Sequence, residues 1–142
     1  MLEVSFYILP SPSLAERDLF TCKLAEKAYR QKLYSLILTV SDAHSQIMDD
    51  LLWTFRANSF LPHQIIVENQ SAIPNQILIS TNQTYPHYAS TLINLSQQFP
   101  GELLRYQRIL EILHQDDSIL QAGRDRYRQY QQAGATMTTH KL

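Results

Sequence analysis

Val4-Ser5-Phe6-Tyr7-Ile8-Leu9 and Ser35-Leu36-Ile37-Leu38-Thr39-Val40 are apolar runs rich in β-branched and aromatic residues, and each leads into a long stretch of helix formers. Parallel neighbouring strands need a crossover connection, so strand, helix, strand, helix in that order leaves few arrangements. The pattern predicts an α/β fold: a mainly parallel sheet with covering helices. Pro10 and Pro12 stop the first strand, and Ser13 with Glu16 three residues on matches a capping box, with Ser11 as a competing cap. The first helix is predicted over Leu14 to Arg30, with Phe20, Leu24 and Ala28 at four-residue steps. Ser41 or Asp42 opens a second helix, in which Ile47, Leu51 and Phe55 recur beside Met48 and Leu52.

Beyond Pro62, the runs Gln64 to Val67, Gln76 to Ser80 and Thr91 to Leu95 read as further strands. Arg108 to Leu113 reads as a strand too, or as the continuation of a helix from Glu102. Asp116 or Asp117 caps a last helix to about Gln132, ended by Gly134, and the polar tail 136–142 reads as irregular. With 142 residues and apolar side chains spread throughout, one domain over 1–142 is expected.

Parallel α/β sheets often hold nucleotides at the carboxyl ends of their strands, so a small enzyme of nucleotide metabolism is one reading. Phosphate-cradling loops need glycine for close backbone approach, and the chain has only Gly101, Gly123 and Gly134. The loop after the first strand, Pro10-Ser11-Pro12-Ser13, has none, which argues against a nucleotide site there. Asp42 and His44 follow the second strand; they read as a helix cap and an exposed first-turn histidine rather than as catalytic groups. His63, His87 and His114 stand at no ligand spacing, and Cys22, the single cysteine, reads as a small buried hydrophobe. No catalytic residue, cofactor or metal is expected. Met1 precedes no basic start and no long apolar segment, so a cytoplasmic location without a membrane span is expected.

Two segments carry more. Leu51-Leu52-Trp53-Thr54-Phe55-Arg56-Ala57-Asn58-Ser59-Phe60-Leu61-Pro62-His63 holds the only tryptophan. Leu51 and Phe55 supply the core face of that helix, and Trp53 lies about 200° round from Leu51. It reads either as a protein–protein hot spot with Phe60 or as a satellite core under the loop. In Leu120-Gln121-Ala122-Gly123-Arg124-Asp125-Arg126-Tyr127-Arg128-Gln129-Tyr130, a helix puts Ile119, Gly123, Tyr130 and Ala133 on one face. Leu120, Arg124 and Arg128 fall on another, with Tyr127 between. Like charges four apart repel, which a bound anion would reverse, and arginine forks suit carboxylates. The alternative is a solvated face partly neutralised by Asp125. Twelve Lys and Arg against thirteen Asp and Glu disfavour a third reading, direct binding of single-stranded DNA by Arg124, Arg126 and Arg128 with Tyr127 and Tyr130 stacking.

In this order, Leu52-Trp53, Ser59-Phe60-Leu61-Pro62-His63 and Arg124-Asp125-Arg126-Tyr127-Arg128-Gln129-Tyr130 with Gly134 resemble the chi subunit of bacterial DNA polymerase III. Phe6-Tyr7-Ile8-Leu9 and the helix around Cys22 and Ala25 fit as well, so the resemblance spans the chain. It implies a Rossmann-like sheet without catalysis, in a clamp-loader accessory subunit that bridges two partners. One is the psi subunit, on a surface including Trp53, Phe60 and Pro62, for which a helicase-like protein competes. The other is the acidic C-terminal tail of single-stranded-DNA-binding protein, whose site would include Arg124, Tyr127 and Arg128. Leu113 and Leu120 would form its apolar wall, Leu120 standing where some relatives carry lysine. DNA would be contacted only indirectly.

Overall fold

Ser13 turns its hydroxyl back onto the Glu16 amide at 3.2 Å, and from that cap helix α1 runs over Leu14–Arg30. The computed structural model describes residues 1–58, 60–87 and 89–142; Ser59, part of the aromatic motif, lies outside them. Strand β1 (Glu3–Ile8) precedes α1, and β2 (Ser35–Leu38) follows it. Ser41 caps α2 (Asp42–Thr54) through the His44 amide. Then come β3 (His63–Ile65), β4 (Ile77–Ser80), β5 (Thr91–Asn94) and β6 (Arg108–Leu113). Asp116 caps α3 (Asp117–Gln132), accepting from the Ser118 and Ile119 amides. Strand β7 (Thr136–Lys141) closes the chain order.

All seven strands form one parallel sheet in the order β3-β4-β2-β5-β6-β1-β7. The central strands are buried on both faces, as crossover helices require. Cys22, Ala25, Met48 and Leu52 of α1 and α2 pack one face, against Ile37, Ile79, Ile93, Leu110 and Ile112. Tyr130 of α3 and Tyr106 pack the other, against Val4, Phe6, Leu36, Leu92, Ile109 and Leu113. Between Glu102 and Arg108 only a single 3-10 turn, Leu103–Arg105, forms, so the 108–113 run is strand.

The tail is not irregular. Thr136 to Lys141 pairs residue for residue with Glu3 to Ile8. Gly134, at φ 87°, lets the chain leave α3 by a left-handed step: its amide donates to Gln131 and that of Ala135 to Tyr130. An outer strand needs little burial, so its polar side chains gave no sign of it.

Two helix faces also differ from the periodic reading. In α2 the core positions are Met48 and Leu52, while Ile47 is 51% exposed and Leu51 and Phe55 are partly buried. His44 is buried, not exposed: Val40 donates to its Nδ1 at 3.2 Å, which leaves the Nε2 proton for Asp18 at 3.1 Å. Arg17 reaches the same Asp18 oxygen at 3.2 Å. This buried knot ties α1 to the start of α2, and no periodicity announces it. In α3, Ala133 is exposed and the buried positions are Gly123, Arg126 and Tyr130.

Candidate functional site: a cationic cavity between the last helix and the sheet edge

Strands β6 and β1 end side by side, and the first half of α3 passes over their carboxyl ends. The gap is a cavity of about 590 Å³. Its floor is apolar, with Phe6, Ile8, Leu113 and Leu120, and Arg124, Tyr127 and Arg128 stand over it. The five residues singled out in α3 and β6 therefore share one cavity. Tyr127 is fixed by its ring against Phe6, 5.4 Å between centroids.

Glycine at 123 keeps the cavity deep. A Cβ there would come 2.5 Å from a Leu113 methyl, so any other residue type would push the end of that side chain out of its present place in the cavity wall.

The rim cations are available. Arg124 makes only a 3.3 Å contact with the Gln121 amide oxygen. Arg128 has a 3.5 Å contact with Asp125, both side chains more than half exposed, a geometry that contributes little. Arg126 behaves differently. It turns inward and grips Glu111 with two hydrogen bonds of 3.0 Å. Tyr130 donates to the same carboxylate at 2.7 Å and Asn94 at 2.9 Å. Burial pushes the Glu111 carboxyl up, against the pull of Arg126. Burial and the adjacent carboxylate push the Tyr130 phenol up as well. Arg126 and Tyr130 are thus lost to the single-stranded-DNA reading, which needed both on the surface.

Residues the sequence reading missed also line the cavity: Gln115, Thr139, Lys141 and Leu142. Thr139 and Lys141 belong to β7, and Leu142 follows it directly. Gln115 donates to the Leu9 carbonyl at 2.9 Å and so braces the entrance.

The aromatic segment lies elsewhere. Trp53, at the end of α2, is 52% exposed and Phe60 66% exposed, with their rings 5.4 Å apart. Pro62 is half-buried beside them in sequence. The Trp53 ring also rests edge-on against His63 at 4.8 Å, whose Nδ1 donates to the Leu61 carbonyl at 2.7 Å. Trp53 is therefore packed on one side and half exposed on the other. The pair adjoins β3, at the opposite edge of the sheet from β7.

Among the described residues, no group of three or more His, Cys, Asp or Glu could hold a metal ion. No described helix is long and apolar enough to cross a membrane.

The family model for the DNA polymerase III chi subunit matches residues 1–138. DNA polymerase III subunit chi of Pseudomonas aeruginosa is 31% identical over 142 residues, covering 100% of this chain and 98% of its own length. That of Haemophilus influenzae is 28% identical over 138 residues, 96% of this chain and 95% of its own. That of Escherichia coli is 24% identical over 144 residues, 98% and 97% respectively.

Proposed function

Since this chain belongs to the DNA polymerase III chi-subunit family, a replication accessory subunit, we propose that it works as a non-catalytic adaptor with two docking surfaces. The cavity under α3 takes the acidic C-terminal tail of single-stranded-DNA-binding protein. The Trp53–Phe60–Pro62 surface takes the psi subunit, or a helicase-like protein competing for the same place. DNA is reached only through these partners.

The observation that carries this reading is the cavity itself: a greasy floor under two arginines with no strong internal partner. A chain terminus that ends in an apolar residue presents a side chain and a carboxylate a few ångströms apart. Leu113 and Leu120 suit the first, and Arg124 or Arg128 the second. Burying the apolar side chain contributes roughly 1.5–3 kcal/mol. The aromatic pair, solvent-exposed yet held by His63, has the composition of an interface anchor.

Placement supports a bridge. With β3 and β7 at opposite edges of seven strands, the sheet edges lie roughly 29 Å apart at ~4.8 Å per strand spacing, and the cavity reaches from the β7 edge in to β6, still well away from β3. Helices run antiparallel to the strands they cross over to, so the end of α2 also lies toward the amino end of the sheet and the cavity toward its carboxyl end. Two partners fit at once, without competing.

Titrating a tail peptide from the host's single-stranded-DNA-binding protein tests this. Saturable binding is expected, weakened at least about tenfold when the terminal carboxylate is amidated, because a charge-assisted hydrogen bond is lost. In the same preparation Trp53→Ala should abolish capture of psi and leave the peptide titration unchanged. Failure of the wild type to bind the peptide at low salt refutes the tail assignment.

A second outcome follows from Gly123. Gly123→Ala forces the Leu113 methyls away, and the open space beside them is the cavity. Alanine's better helix propensity, up to about 1 kcal/mol, offsets part of the crowding. Peptide affinity is therefore expected to fall about three- to tenfold while the melting temperature stays close to wild type. Unchanged affinity would mean that Leu113 does not wall the occupied space.

A further inference from the structure

Strand β7 forms a second wall of the cavity, opposite α3. Thr139 and Lys141 line the same opening as Arg124 and Arg128, paired in register with Phe6 and Ile8. Phe6 and Ile8 pack on the α3 side, so Met137, Thr139 and Lys141 face that way too. Their neighbour His140 faces the other side, stacked on Tyr7 at 4.7 Å.

Main-chain direction follows the same alternation. The Thr136 amide donates to Leu2 at 2.9 Å and that of Leu142 to Ile8 at 3.0 Å, so even-numbered residues of β7 bond inward to β1. The amides and carbonyls of Met137, Thr139 and Lys141 consequently point outward, where the sheet has no further strand among the described residues. Lys141 is exposed and forms no ion pair with any described residue, and no Asp or Glu lines the cavity.

We propose that a peptide occupying the cavity pairs its main chain with this open edge as an eighth strand, and that Lys141 takes an acidic side chain upstream of the end held by Arg124. The proposal rests on the tail-binding reading and specifies how the rest of the tail is held. A strand laid along β7 sends every second side chain to the α3 face. Past the end of the paired stretch the peptide turns inward over the carboxyl ends of β7 and β1, which brings its terminal apolar residue to Leu113 and Leu120, while a side chain of the paired stretch on the α3 face lies within reach of Lys141. Main-chain pairing supplies affinity that tolerates sequence variation, while the alternate side chains supply selectivity. It also occupies a sheet edge that is otherwise open to unwanted pairing. Cations on both walls explain why an acidic chain, rather than a neutral one, is the fitting occupant.

The test uses the full chain and a short acidic peptide ending in phenylalanine with a free carboxylate. Lys141→Gln is expected to weaken binding about fivefold, and the loss should vanish against the peptide in which the coupled Asp is replaced by Asn. N-methylation walked along the peptide should weaken binding about tenfold at alternate amides only. If Lys141→Gln and every N-methyl peptide bind as the parents do while Arg124→Ala still loses binding, the edge pairing is overturned and the tail site survives. If the wild type shows no saturable binding, both fall.

Discussion

Replacing Arg126 by alanine should cost roughly 3–5 kcal/mol of stability, because it leaves the Glu111 carboxylate buried without its counter-ion. The side chains are 3% and 0% exposed, so water cannot substitute for the missing guanidinium. Tyr130 and Asn94 still donate to Glu111, but neither carries charge. Against a domain stability of about 5–15 kcal/mol, this is a large fraction, and it will appear as a lowered denaturant midpoint. The loss should also depend on pH. With the carboxyl pushed above its usual 4.5, the native state binds more protons than the unfolded chain. Arg126 draws that carboxyl down against burial, so without it Glu111 holds its proton to higher pH; stability falls with rising pH above the usual 4.5 in both proteins, over a wider range in the variant, and the variant's deficit grows toward neutrality. Removing both charges with Glu111→Leu and Arg126→Met should recover part of the loss. A cost under about 1 kcal/mol at neutral pH would show that the pair does not hold the helix.

That pair bears on function through geometry. Residues two apart on a helix point about 200° from each other, so an Arg126 anchored on β6 turns Arg124 and Arg128 outward. The buried ion pair sets the rotational phase of α3, and the rim cations follow from it. A charge at the inward position of α3 is meaningful only with Glu111 facing it from β6, fifteen residues away in the chain.

This is where sequence reading reached its limit. The spacing of Leu120, Arg124 and Arg128 showed a common face, because helical periodicity is a local property. The caps at Ser13, Ser41 and Asp116 were legible for the same reason, each resting on a side chain that bonds an amide two or three residues on. Arg126 looked like one more surface arginine, since burial of a charge is decided by a partner in another element. A clue was present: Glu111 interrupts the apolar alternation of a strand core, which is tolerable only with a cation opposite. His44 hid in the same way, its partner Asp18 lying on another helix. Strand β7 escaped because an edge position asks for main-chain pairing and hardly for apolar side chains, and with it went Thr139 and Lys141 on one side of the cavity.

Arg124→Ala should have the opposite profile to the Arg126 variant: stability unchanged, tail binding lost. Arg124 is exposed and gives up only a 3.3 Å contact with Gln121, so the fold has little to lose. The ligand has much to lose. A carboxylate drawn under Tyr127 and beside Leu113 leaves part of its hydration behind, and without the guanidinium it is left unpaired. Such truncations cost about 2–5 kcal/mol, enough to push a short peptide beyond detection by calorimetry. Arg124→Lys keeps the charge but not the planar fork, so it should restore only part of the affinity. Arg128→Ala should cost less, since Arg128 already leans on Asp125 and begins from a partly neutralised state. All three differences should shrink in high salt, which screens exposed charge. Binding by Arg124→Ala that matches wild type at low salt would remove this arginine from the site and move the carboxylate to Arg128 or Lys141.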